Sequence, residues 1–265
     1  RDPNMVSNIH SAYFEAGATV ATTNSYTILR DRLKHFKLEH EVHNLWNSSV
    51  AAACKARDKF GTGRVAGSIG PLIASYRPDI CPPVEQASKI YEEKVESIAP
   101  KVDLLLVETV CSLKQAKGVL AATDKSNKPV WISFSVDDVD GTKLRSGEKL
   151  EDVEAVINNH LVEAVLINCS PPEVVDNALS ILSKMGKAFG AYANGFSKIS
   201  SEFLKTRPTV DALTARNDLG PEEYSNFVTN WIRNGASIVG GCCEIGPTHI
   251  SKISQKIHKL GYKTL

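Results

Sequence analysis

Apolar residues along this chain fall into two kinds of run that take turns. Short unbroken apolar blocks occupy residues 18–25, 64–71, 102–109, 130–135, 165–169, 188–195 and 237–243. Between them lie longer stretches whose apolar positions recur every three or four residues, as on one face of a helix. These predict helices over residues 3–15, 39–60, 83–98, 113–122, 150–159, 173–185, 221–233 and 247–260. In the 39–60 stretch, Val42, Leu45, Trp46, Ser49, Val50 and Ala53 make one stripe, which assigns Trp46 to the core. Residues 196–219 show neither period and read as a long irregular connection.

Unbroken apolar strands, rather than alternating ones, are the mark of a parallel sheet covered on both faces. No glycine-rich dinucleotide fingerprint follows the first strand, which disfavours a Rossmann arrangement. The closed alternative, a (β/α)8 TIM barrel, needs eight strands, and the pattern supplies seven. Because Asp2-Pro3 opens a helix at once, the eighth strand is expected upstream of Arg1. Residues 1–265 are therefore expected to form a single barrel domain, incomplete at its N-terminus.

In such a barrel the chemistry collects where the strands end. The polar residues at those ends are Thr22, Thr23 and Asn24; Ser68; Glu108 and Thr109; Ser133 and Ser135; Asn168 and Cys169; Tyr192 and Asn194; Cys242 and Cys243. They are expected to ring one pocket, with Thr23, Asn24, Ser68, Glu108, Asn168, Tyr192 and Asn194 placed to touch substrate. Glu108 directly follows Leu104-Leu105-Leu106-Val107, so its carboxylate needs a partner, since an unpaired buried charge is costly. A substrate ammonium, or an Arg or Lys from elsewhere in the chain, would serve. The alternative is a structural Glu at the start of the next helix.

The cysteines carry the sharpest signal. Neighbouring side chains on a strand face opposite ways, so Cys242 and Cys243 can converge only where the strand has stopped. Gly240-Gly241 is expected to supply that break by letting the backbone turn sharply. Cys169 ends the 165–169 strand in the same way. Three thiolates with no fourth protein ligand suit a zinc ion that keeps one position open for substrate. Three ordinary buried cysteines, or a strained vicinal disulfide, are the competing readings. His249, early in the last helix, reads as a surface or packing histidine, and Asp137, Asp138 and Asp140 as a solvated acidic loop.

Composition narrows the partners. The 265 residues carry 42% hydrophobic and 23% charged side chains with a net charge of +1, which gives no reason to expect nucleic acid. No apolar run approaches the roughly 20 residues of a membrane span. Six scattered cysteines do not make a disulfide framework and fit a reducing compartment, the cytoplasm.

Gly240-Gly241-Cys242-Cys243 with Pro247-Thr248-His249-Ile250, Ile167-Asn168-Cys169, Glu108-Thr109, Thr22-Thr23-Asn24-Ser25-Tyr26 and Gly67-Ser68-Ile69-Gly70-Pro71 together resemble the homocysteine S-methyltransferase family. The resemblance runs in order along essentially the whole chain. It implies a (β/α)8 barrel that holds one zinc ion through Cys169, Cys242 and Cys243, with Glu108 on the amino group of homocysteine. The implied reaction moves a methyl group from a sulfonium donor, S-methylmethionine or S-adenosylmethionine, to the homocysteine thiol. No catalytic side chain is implied beyond the zinc-activated substrate thiol. The family's Asp-Gly-Gly segment on its first strand has no counterpart here. Selenocysteine as acceptor, a zinc hydrolase, and a redox protein cycling Cys242-Cys243 through a disulfide remain the alternatives. The histidines, placed away from the strand ends, disfavour the hydrolase.

Overall fold

The computed structural model describes residues 2–200, 202–204 and 212–264. Seven strands form one sheet: β1 Val20–Thr22, β2 Arg64–Ile69, β3 Leu104–Val110, β4 Val130–Phe134, β5 Val162–Asn168, β6 Ala188–Tyr192 and β7 Ile238–Val239. Each pairs in parallel with the next, in strict chain order. The helices are α1 Pro3–Glu15, α2 Arg30–Lys34, α3 Val42–Phe60, α4 Val84–Ile98, α5 Leu113–Thr123, α6 Val153–Ile157, α7 Pro172–Leu182, α8 Pro221–Arg233 and α9 Pro247–Lys259. Among the described residues this is a curled, seven-stranded (β/α) barrel, one strand short of a closed one, the fold class the alternation implies. The ends of the sheet are tied by helices instead: the Tyr13 hydroxyl of α1 donates to the Ile245 carbonyl just before α9, at 2.9 Å.

Two cores result. The larger lies between sheet and helices, where Leu105 and Val107 of β3 meet residues such as Tyr91 and Ile98 of α4 and Trp46 of α3. The smaller fills the barrel with Ala66, Leu104, Leu106, Ala164 and Leu166, against which Trp131, Tyr192 and Ile238 pack. A strand's side chains alternate, so Ser68, Glu108 and Asn168 continue these inward rows to the mouth. β6 and β7 approach closely: a methyl group on Gly190 would overlap the Ile238 carbonyl.

The differences from the sequence reading are local. The short α2 carries no buried residue and leaves no apolar stripe to read. The helix expected over 150–159 is a 3-10 turn followed by the five-residue α6. β1 and β7 are shorter than their apolar blocks, being the two edge strands. Part of the irregular stretch 196–219 lies outside the described residues. Within it, Phe196 bridges to Ala215.

Candidate metal centre and active site

Cys169 follows β5 directly, with φ 50°. This left-handed conformation is uncommon for a residue with a β-carbon. It breaks the strand's alternation and swings the thiol to the barrel mouth. The Cys169 carbonyl is held there by the Ser135 hydroxyl at 3.2 Å and by the Arg145 guanidinium at 3.3 Å. Arg145 also donates to Ser135 Oγ at 2.7 Å and to Asp138 Oδ1 at 2.5 Å, and it lies 4.8 Å from the Tyr76 ring centroid. Asp138 is thus no solvated loop residue: it is paired to a largely buried arginine and also accepts from the Ile199 amide at 2.8 Å.

The second half of the centre comes from the turn after β7. Neither Gly240 nor Gly241 takes a left-handed φ; the turn is made by Glu244, with φ 66°. Gly241 is required for space, because a methyl group there would overlap Ile245 Cγ2. Ile245 in turn is buried in the main core. The amides of Gly240 and Cys242 donate to the carbonyls of Ala191 and Ala193, carrying the β6 pairing past the end of β7.

The sulfur atoms of Cys169, Cys242 and Cys243 lie within 4.8 Å of one another, and those of Cys242 and Cys243 are 3.9 Å apart. Three thiolates on a tetrahedral zinc, each about 2.3 Å from it, would stand about 3.8 Å apart. The donor set and its spacing fit such an ion. All six cysteines are free thiols. Hydrogen bonds from the thiols of Cys169 and Cys242 pull the Cys243 thiol well below the ordinary cysteine range, whereas its two neighbours are pushed up. A fourth cysteine, Cys111, packs in the same apolar patch with Tyr76, Ile199, Phe203 and Leu204. Burial pushes its thiol up to about 12.

Glu108 sits at the mouth end of β3, 9% exposed. One carboxylate oxygen accepts from Ser68 Oγ, the other from the Tyr192 hydroxyl at 3.3 Å. It caps no helix, since Ser112 fills that place for α5. Burial pushes its carboxyl up to about 7, against the hydrogen bond from Ser68. Tyr192 itself packs against the core inside the barrel, where burial and the Glu108 charge push its hydroxyl up.

The other expected site residues divide. Ser68 is buried, with its amide on Thr23 Oγ1 at 3.0 Å. The Thr23 hydroxyl also meets Ser25 Oγ at 2.9 Å, so Thr23 braces the β1–β2 junction. Asn24 is exposed. The Asn168 amide is committed to Thr109, accepting from its N–H and donating to its hydroxyl, each at 3.0 Å. Thr109 needs that clamp, because its φ is 60° where β3 shifts register against β4. Asn194 accepts from the Phe196 amide at 3.2 Å and shapes the turn after β6. His249 packs edge-on to Tyr224 and contacts Gly246 and Leu219, the packing role expected of it.

Tyr76, Arg145, Ser25 and Lys94 are site residues that the strand-end rule misses. Lys94 left a trace in the sequence: it falls on the buried face of α4 with Ala87, Tyr91, Val95 and Ile98.

A family model described as homocysteine S-methyltransferase matches residues 1–257. The chain is 29% identical to homocysteine S-methyltransferase 1 of Brassica oleracea var. italica, over 98% of this chain and 85% of that one. It is 27% identical to homocysteine S-methyltransferase YbgG of Bacillus subtilis (strain 168), over 96% and 84%. It is also 27% identical to selenocysteine methyltransferase of Astragalus bisulcatus, over 95% and 82%. Among solved structures, the metallated form of the homocysteine methyltransferase MmuM from Escherichia coli superposes with a TM-score of 0.81. That match has 26% identity over 97% of this chain and 85% of that one.

Proposed function

This chain belongs to the homocysteine S-methyltransferase family, and from that premise we propose that it is a zinc-dependent enzyme that methylates the thiol of L-homocysteine to give methionine. The donor in this reading is a sulfonium compound, S-methylmethionine or S-adenosylmethionine. We read residues 1–265 as one homocysteine-binding barrel domain acting on small molecules in a reducing compartment such as the cytoplasm. Among the described residues no helix is long and apolar enough to cross a membrane.

The observation that carries the proposal is the meeting of three cysteine sulfurs within 4.8 Å, beside a buried carboxylate at the barrel mouth. Cys169, Cys242 and Cys243 would hold the ion. Bound zinc lowers the pKa of a thiol ligand, which for free cysteine is about 8.5, and so keeps the acceptor sulfur deprotonated at neutral pH. Glu108 binds the amino group of the amino acid and fixes its orientation, with Ser68 and Tyr192 aiming the carboxylate. Arg145, through the Cys169 carbonyl, keeps the first thiol in its left-handed conformation. The acceptor sulfur attacks the methyl carbon as the carbon–sulfonium bond breaks. The bonding pair returns to the donor sulfur, which leaves as a neutral thioether, so no general acid is required. Much of the rate then comes from holding the two sulfurs in line.

The test is a panel of methyl donors with homocysteine on the full-length protein, read as methionine formed, alongside metal analysis. We expect about one zinc per chain, lost in Cys169→Ala, and turnover with a sulfonium donor. A metal-free protein with a reversible two-electron oxidation of Cys242-Cys243 would replace this reading with the redox one. Selenocysteine belongs in the same panel as a second acceptor, because a relative at 27% identity is named for that substrate.

A further inference from the structure

Lys94 lies on the inner face of α4, 1% exposed, with no part in the chemistry above. From α4 its Nζ donates to the Ser25 carbonyl, in the turn after β1, at 2.7 Å. That is the one hydrogen bond it makes among the described residues. An ammonium group has three donors, and a buried cation with one partner needs an anion nearby. Two charged groups act on it: Glu108 attracts and Arg32 repels.

Ser25 is the hub of a short relay. Its hydroxyl donates to the Ser68 carbonyl at 2.9 Å and meets Thr23 Oγ1 at 2.9 Å; Thr23 Oγ1 accepts the Ser68 amide; and Ser68 Oγ donates to Glu108. Lys94 therefore touches the carboxylate site in two ways. It pins the turn that fixes Ser68, and it supplies positive charge behind Glu108.

We propose that Lys94 is a positioning residue for amino-acid recognition, holding the Ser25–Ser68 relay and offsetting the Glu108 charge so that this carboxylate stands ready for a substrate ammonium group. This rests on the reading of Glu108 given above. The titration behaviour agrees. Burial lowers Lys94 and raises Glu108, and each opposes the other's shift: the Glu108 charge holds the ammonium up and the Lys94 charge holds the carboxyl down. The lysine lies outside the thiol cluster, so its role separates cleanly from metal binding.

The experiment measures the Kd of two thiols by calorimetry on zinc-loaded full-length protein. Homocysteine carries the amino group; 4-mercaptobutanoate has the same thiol and carboxylate without it. In Lys94→Met, homocysteine is expected to bind at least tenfold more weakly, 4-mercaptobutanoate within twofold of wild type, and zinc content to stay at wild-type level. Lys94→Gln, which keeps a donor toward Ser25, is read in the same way should the methionine variant fail to fold. Homocysteine binding unchanged, or both thiols weakened alike, overturns the proposal. Glu108→Gln is run beside them. If it leaves homocysteine binding intact, the Glu108 reading itself is wrong. If it weakens binding while the Lys94 variants do not, only the role given to Lys94 falls.

Discussion

Asn168→Ala separates two roles that a polar residue at a strand end can play. Asn168 is fully buried, and both ends of its amide are spent on Thr109. Truncation leaves the Thr109 N–H without an acceptor, which costs about 1–3 kcal/mol. Loss of the second bond costs about 1 kcal/mol, and the emptied amide volume about 1 kcal/mol more. Relief of the left-handed Thr109 backbone returns some of this, since such a conformation stores about 1–3 kcal/mol. The net expectation is a loss of about 3–4 kcal/mol, a substantial part of a typical domain stability of about 5–15 kcal/mol. For a chain of this size it corresponds to a fall in Tm of about 6–16 °C. Urea titration of metal-free protein, followed by tryptophan fluorescence, gives the energy directly, and a thermal melt gives the second reading. Stability within about 1 kcal/mol of wild type, together with a raised KM for homocysteine, would show Asn168 to be a substrate ligand and sink the clamp argument.

Three further outcomes are expected. Gly241→Ala forces the Cys242–Ile245 turn outward against a core residue, so zinc per chain should fall and stability drop by about 1–3 kcal/mol; full metal occupancy at wild-type stability would contradict this. In metal-free protein, Glu108 ionises near 7 when folded but near its ordinary 4.5 when unfolded, so its contribution to stability declines with pH between those values. Lys94 loses its proton near 7 when folded but near 10.5 when unfolded, so its contribution rises with pH over that upper range. The stability difference between wild type and Lys94→Met/Glu108→Gln should therefore pass through a minimum near pH 7, and a monotonic curve would be inconsistent. Arg145→Met removes the guanidinium from the Cys169 carbonyl, Ser135 and Asp138. Zinc affinity should weaken at least tenfold, in the range typical of groups that orient a metal ligand; unchanged affinity in a chelator competition would refute the link.

The architecture was legible because parallel strands buried on both faces leave unbroken apolar blocks, and β3 is the clearest of them, buried along its whole length. The same rule brought Glu108 into view, as the one charge at the end of such a block. It worked less well where position alone does not tell which neighbour a side chain meets. Asn168 and Thr23 stand at strand ends as expected, yet their polar atoms face protein, because the partner depends on a local φ and a register shift that composition does not encode. Lys94 falls in register with the buried face of α4, but within Glu92-Glu93-Lys94-Val95-Glu96 the charges on both sides outweigh that trace and make it look like part of a solvated face. Arg145 lies in a loop without periodicity, so its three partners could be found only in space.

Cys169 and Cys242 stand about 73 positions apart in the chain, at the ends of strands that are not neighbours in the sheet. An ion shared between them would act as a reversible cross-link around α7, β6, α8 and β7. If it constrains the unfolded chain as a disulfide of that span does, the gain is about 4 kcal/mol. Loss of the ion would then loosen the last quarter of the barrel first. Protease sensitivity confined to that quarter would thus report metal status without any turnover being measured.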